Sequence, residues 1–180
     1  MGWQAEGYNV AAMSRRSLSP TKELYSLRKA VSEILGIPFT ERIDHQAFKP
    51  HQKTLALWAV DCAERVLPYF EAKYPADPRP RQAVEALRSW LTTGIFKMAV
   101  IRTTSLSAHA AAKGRSELDA IYAAHSAGQA VGTAHVATHA LGAALYAIRA
   151  VAAHTGSIED GTVKERSRQL ERLNELAHSW

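Results

Sequence analysis

The chain has 180 residues, of which 47% are hydrophobic and 22% are charged, and its formal net charge is +5 at pH 7. This composition is typical of one globular domain and excludes a disordered chain. Lys and Arg residues are scattered along the sequence rather than clustered on one stretch. This distribution disfavours a nucleic-acid binder, although the chain is mildly basic.

Cysteine content and apolar patterning indicate the compartment. The single cysteine, Cys62, excludes an intramolecular disulfide and suits a reducing environment. The N-terminus lacks the basic and apolar regions of a signal peptide. The longest apolar run, residues 130–153, contains His135, His139 and Arg149, which argue against a membrane span. We therefore predict a cytoplasmic protein with no membrane association and no bound cofactor.

The N-terminal part of the chain carries a clear helix-start signal. Residues 1–18 show no periodicity, and we predict that they form a mobile N-terminal leader ahead of a single helical domain over residues 19–180. Ser19 caps a helix whose first residue is Pro20, a position where proline loses no hydrogen bond. Gly36 ends this helix.

Proline and glycine also set the boundaries of the next three predicted helices. Pro50 begins a helix with apolar residues every three or four positions, and Pro68 should kink it near its C-terminal third. Asp77 caps the following helix, which ends at Gly94. A further helix is predicted from Ile95 to Lys113.

The stretch from His125 to Arg149 is almost entirely small or apolar, and we interpret it as a central helical hairpin or broken helix. Gly128 and Gly132 lie four residues apart, on one face, and permit a tight helix crossing. We predict a break near His139–Gly142.

The C-terminal region completes the predicted fold. Residues 154–161 are predicted to form a loop, after which Thr162 caps a terminal helix. No segment alternates with the period of a strand. The sequence therefore predicts an all-α, single-domain bundle of about six or seven helices around the Ala/Gly-rich central segment.

Four histidines are the first candidate site. His135 and His139 point the same way from a helix, His125 lies on roughly the same side, and His109 comes from the preceding helix. Neutral imidazoles bind zinc or iron, so a helical metalloprotein or small hydrolase is the alternative function. No H-E-x-x-H motif accompanies them. Histidines hydrogen-bonded in or beside the core are therefore our main interpretation, with no metal and no catalytic residue.

Trp58, Asp61 and Arg65 form a second constellation because their spacing places them on one side of a helix. The first interpretation is an exposed Asp61–Arg65 pair beside a core tryptophan. The alternative is a partly buried Asp61 that orients His135 or His139 from a neighbouring helix.

Two arginines follow the turn before the third predicted helix. Arg79 and Arg81 fit local pairing with Asp77 or Glu85, and a phosphate bound at the helix start is the alternative. Cys62 lies on an apolar helix face without a catalytic neighbour, which indicates a buried structural thiol.

Two blocks of sequence are distinctive, WAVDCAERVLP at residues 58–68 and AHVATHA at residues 134–140. They resemble signatures of the bacterial Imm-5-like immunity proteins, and the resemblance covers residues 50–153. The signature residues of structural interest are Trp58, Asp61, Cys62, Arg65, Pro68, His135 and His139.

The resemblance implies a non-enzymatic protein that binds a partner toxin and neutralises it by occlusion. Arg79, Arg81 and the outward face of the 50–73 helix are the predicted contacts, and a homo-oligomer is a further alternative. Inhibitors of nuclease toxins are often acidic, whereas this chain is basic. Either the target is not a basic nuclease or the interface has its own local charge.

Overall fold

The computed structural model describes residues 20–179, which form seven helices of twelve residues or more and one short helix. In chain order these are α1 (Pro20–Leu35), α2 (His45–Phe48), α3 (Gln52–Glu71), α4 (Arg79–Thr93), α5 (Met98–Ala111), α6 (Leu118–Gly132), α7 (His139–Thr155) and α8 (Arg166–Ala177). No strand occurs between residues 20 and 179, which confirms the all-α prediction. The leader predicted at residues 1–18 and the cap predicted at Ser19 lie outside the described residues.

Local sequence signals explain several helix ends. Gly36 and Gly94, the two predicted stops, have φ angles of +65° and +68°, a left-handed conformation that glycine adopts without steric cost. The helix containing Pro68 continues through it to Glu71. None of the helices between residues 20 and 179 combines the length and apolar character needed to cross a membrane.

The core is built around α3, α6 and α7. Trp58 and Phe70 of α3 are its largest fully buried side chains, whereas α6 and α7 contribute mostly alanines. The helices α6 and α7 pack on each other, and α3 packs on both. The helices α4 and α5 cover α6, α1 lies against α7 and α8, and α8 lies against α3. Small side chains let these three central helices approach closely, as the Ala/Gly-rich segment predicts.

The central segment is a helical hairpin whose turn lies earlier than predicted. The contacts of Gly132 with His139, and of Gln129 with Gly142, show that α6 and α7 run in opposite directions. The turn occupies residues 133–138, so the break predicted at His139–Gly142 is wrong. Tertiary contacts decide its position, because the Gln52 amide of α3 donates hydrogen bonds to two carbonyls in the turn, at 2.9 and 3.0 Å.

The loop and cap predicted near the C-terminus are also wrong. The chain re-enters a helix at Ile158, forms a π-helical turn at Asp160–Glu165 and continues into α8. Thr162 therefore lies within a helix rather than at its start. Gly161 packs directly on α7, where a Cβ atom would lie 2.7 Å from the Ile148 carbonyl oxygen. This close packing needs a residue without a side chain.

Candidate functional site

A pair of histidines lies between α5 and α6. His109 Nδ1 lies 2.8 Å from His125 Nδ1, a distance at which one ring donates a hydrogen bond to the other. The imidazole of His109 occupies the space above Gly128, where an added Cβ would lie 2.8 Å from the ring. Gly128 therefore permits the close approach of α5 to α6, and Ser105 fixes it by donating to the Gly128 carbonyl at 2.8 Å.

Burial keeps this pair neutral. Burial and the neighbouring His125 lower the pKa of His109 from 6.5 to about 4, and burial also lowers the pKa of His125. The Nδ1–Nδ1 bond needs one donor and one acceptor, so two imidazolium rings cannot form it. This arrangement fits the main interpretation from the sequence, in which the histidines are hydrogen-bonded beside the core.

We expect this histidine pair to make stability depend on pH. The unfolded imidazole takes up a proton as the pH falls through 6.5, whereas folded His109 does so only near pH 4. Stability is therefore lost as the pH falls across this window. Allowing for solvent screening of a half-exposed ring, we expect His109 to contribute about 1 kcal/mol, or about 2 to 4 °C in melting temperature.

Thermal melts at intervals between pH 7 and about pH 5, above most carboxylate titration, would measure this dependence. His109→Gln should show a shallower fall than the wild type. The exposed His178 provides the control, and His178→Gln should keep the wild-type slope. Equal slopes in all three proteins would contradict the assignment.

The other two candidate histidines lie at the α6–α7 turn. His139 Nδ1 lies 2.7 Å from Gln129 Oε1, and burial lowers the pKa of His139. His135 is exposed in the turn itself. A histidine that the sequence analysis did not single out, His45 of α2, joins this group, with its Nδ1 2.8 Å from Thr138 Oγ1.

The four candidate histidines thus have different partners. His109 pairs with His125 and His139 with Gln129. Among residues 20–179, no group of three or more His, Cys, Asp or Glu side chains is arranged to hold a metal ion. The metalloprotein alternative has no such ligand set in this part of the chain.

Both interpretations of the Trp58 constellation are wrong about Asp61 and Arg65. Neither residue pairs with the other or orients a histidine, because each bonds to the C-terminal part of the chain instead. Arg65 Nε donates to Glu165 Oε2 at 2.6 Å, and Arg172 Nε donates to Asp61 Oδ2 at 2.6 Å. The constellation therefore joins α3 to α8 and to the turn before it.

Trp58 and Cys62 form the buried side of the same contact. Trp58 is fully buried and its indole Nε1 donates to the Gln169 backbone carbonyl at 2.7 Å. Cys62 is buried, and burial raises the pKa of its thiol well above the ordinary value. The burial of Cys62 is as predicted, and a purely structural role for its thiol stays a prediction.

The two arginines proposed as partner contacts are held by carboxylates of the same chain. Arg79 donates to both oxygens of Asp77, at 2.8 and 2.6 Å, as the local interpretation predicts. Arg81 donates to both oxygens of Glu71, at 2.7 and 2.8 Å, rather than to Asp77 or Glu85. Both guanidinium groups therefore already have bidentate partners.

Sequence analysis missed a polar network around Asp119. Its carboxylate accepts hydrogen bonds from Lys73 and, at 2.9 Å, from His154, whose ring stacks on Tyr69 with centroids 3.9 Å apart. Burial opposes ionisation of Asp119, but the bonds from Lys73 and His154 lower its pKa overall. No local spacing indicates this network, because its members come from α3, the turn after it, α6 and the end of α7.

Sequence analysis also missed an exposed apolar corner. The helix predicted from Ile95 begins only at Met98, so Ile95 and Phe96 lie in the connection after α4. Five of the eight large apolar side chains exposed among residues 20–179 lie in this connection or along α5, and we name them the α4–α5 corner: Ile95, Phe96, Met98, Val100 and Leu106. Helical periodicity could have indicated that Leu106 is exposed, because it lies on the opposite side of α5 from the buried Ile101.

The fold and these surfaces define a small all-α bundle with an exposed apolar corner. The family model described as Imm-5 like putative immunity protein matches residues 47–176. The chain belongs to this family, and the match extends beyond the resemblance at residues 50–153 to include most of α8. Comparisons with curated proteins and with solved structures gave no match.

Proposed function

We propose that the protein binds a partner toxin and neutralises it by occlusion, without catalysis. Membership of an immunity protein family supports a toxin partner. The observation that carries the mode of action is the α4–α5 corner, where all residues from 92 to 100 are exposed. Isolated exposed apolar residues are normal on protein surfaces, whereas a cluster of this kind is typical of a protein interface.

The proposed primary contact therefore moves from the arginines to this corner. Phe96 and Met98 are residue types enriched at interfaces, and each exposes 43% of its surface. The bidentate carboxylate partners of Arg79 and Arg81 would have to be given up or shared before a toxin could use these guanidinium groups. Arg79 and Arg81 stay predicted toxin contacts, and we now place them at the periphery of the interface.

Affinity purification from the cells that encode the protein tests the function. We expect one stoichiometric partner protein whose expression alone arrests growth, and co-expression of the present chain should restore growth. A partner that is harmless when expressed alone, or a protein purified without any partner, would contradict the proposal.

A matched pair of isoleucines tests the surface. Ile95, in the corner, is 62% exposed, and Ile158, far from it in sequence and between α7 and α8, is 59% exposed. We expect Ile95→Glu to weaken toxin binding by about tenfold or more, because it buries a carboxylate in an apolar contact. Ile158→Glu should bind as tightly as the wild type in the same calorimetric titration. Equal affinities of the two variants would contradict the placement of the interface.

A further inference from the structure

A cleft between α3 and α8 differs in chemistry from the rest of the protein. It has a volume of about 580 Å³ and adjoins the Arg65–Glu165 and Asp61–Arg172 pairs described above. Five carboxylates line it, together with three guanidinium groups. The whole chain has a net charge of +5, whereas the cleft keeps a small surplus of carboxylates even after Arg88 pairs with Glu64 of its lining.

The buried residues of the cleft have unused hydrogen-bond acceptors. Glu165 and Gln169 both line it, lie one helical turn apart and expose only 2% and 3% of their surfaces. The Oε1 atoms of both side chains are buried without a hydrogen-bond partner. Leaving buried acceptors unsatisfied is costly, and a carboxylate oxygen costs more than a neutral one.

The arginines of the cleft do not supply the missing donors. Arg65 Nε bonds to the other oxygen of Glu165, at 2.6 Å. Arg172 bonds to Asp61 and Glu175, at 2.6 and 3.0 Å. Arg168 lies 3.9 Å from the same Glu165 oxygen that Arg65 already occupies. The arginines that line the cleft therefore leave both Oε1 acceptors without a donor.

We propose that this cleft binds an arginine side chain of the partner protein. A guanidinium group carries a positive charge that the surplus carboxylates attract, and its several N–H donors suit two neighbouring acceptors. Such a site would let this basic protein engage a basic surface, because the local charge of the cleft is opposite to the net charge of the chain. The assignment of this arginine to a toxin rests on the proposed function. The preference of the cleft for a guanidinium group rests only on the residues that line it.

The alternative is an internal solution in which Glu165 is protonated and its O–H donates to Gln169 Oε1. Burial raises the pKa of Glu165, which favours the proton. In that case both acceptors are satisfied within α8 and the turn before it, and the cleft has no special affinity for a cation. The two arrangements differ in a measurable way.

The test uses the full chain labelled with ¹⁵N and the probe N-acetyl-arginine-methylamide. The Trp58 indole N–H, which bonds to the Gln169 carbonyl, reports on the cleft in a two-dimensional NMR titration. We expect saturable shifts of this signal and of the Arg168 and Gln169 amides at millimolar probe. The isosteric but uncharged citrulline analogue should leave them unchanged. Absent shifts, or equal shifts with both probes, would overturn the proposal in favour of the internal bond.

Charge-neutral variants locate the binding. Glu165→Gln is expected to weaken binding of the arginine probe by about tenfold, because it removes the buried carboxylate. If this variant does not fold, Glu171→Gln at the exposed edge should still weaken binding, by a smaller factor. Glu85→Gln, an exposed glutamate of α4 outside the cleft, should bind the probe as the wild type does. Wild-type affinity in both cleft variants would overturn the site.

These outcomes are independent of the toxin experiment. Probe binding without a toxic partner would retain the cleft and refute the immunity function. Toxin neutralisation without probe binding would retain the function and refute the cleft.

Discussion

Trp58→Ala is expected to lower the free energy of unfolding by about 3 to 5 kcal/mol. The indole is fully buried at the centre of α3, and its removal leaves a cavity beside α8. It also removes the hydrogen bond that the indole donates to the Gln169 carbonyl at 2.7 Å. For a chain of this size the melting temperature should fall by about 6 to 20 °C.

Thermal and urea unfolding followed by circular dichroism would measure this loss. Trp90→Ala is the matched control, because Trp90 of α4 is only partly buried against the same core. The control should lose less than half as much stability as Trp58→Ala. Similar losses in the two variants would contradict the prediction, because they would show that the full burial of Trp58 and its hydrogen bond to Gln169 add no stability.

Gly161→Ala is expected to destabilise the protein by about 2 to 3 kcal/mol, although alanine normally favours a helix over glycine. An added methyl group at this position would collide with Ala152 and lie 2.7 Å from the Ile148 carbonyl oxygen. The backbone of α7 cannot move aside without disturbing its own hydrogen bonds. The melting temperature should fall by about 4 to 12 °C.

Gly142→Ala provides the comparison for this variant. An added Cβ there would lie 2.7 Å from Gln129 Oε1, the end of a side chain that can rotate away at the cost of its hydrogen bond with His139. We expect a change in stability within about 1 kcal/mol, because the gain in helix propensity offsets the lost contact. If Gly142→Ala were as destabilising as Gly161→Ala, rigid backbone contact would not be the cause.

The sequence predicts the fold class and most helix ends, because these depend on short-range chemistry. Gly36 and Gly94 end helices through a backbone conformation that glycine adopts freely, whatever lies around them. The buried thiol of Cys62 follows from helical periodicity alone. Such features need no knowledge of the partner helix.

The errors occur where a distant residue decides the outcome. The turn after α6 is fixed by Gln52, about eighty positions earlier, so the uniform small residues around it contain no boundary signal. Asp61 and Arg65 have the spacing of a local pair, but α8 and the turn before it offer each a better-placed partner. The π-helical turn before α8 depends on the packing of Gly161 against α7, which spacing cannot reveal.

The contact of α3 with α8 also constrains the order of folding during synthesis. Trp58 and Gln169 are 111 positions apart, and Arg65 and Glu165 are 100 apart. Residues leave the ribosome in chain order, so α3 emerges long before the helix that covers its tryptophan. The nascent bundle must leave this apolar surface uncovered until α8 has been synthesised. A ribosome stalled before α8 would therefore release a bundle that exposes the apolar surface around Trp58 and is prone to aggregate.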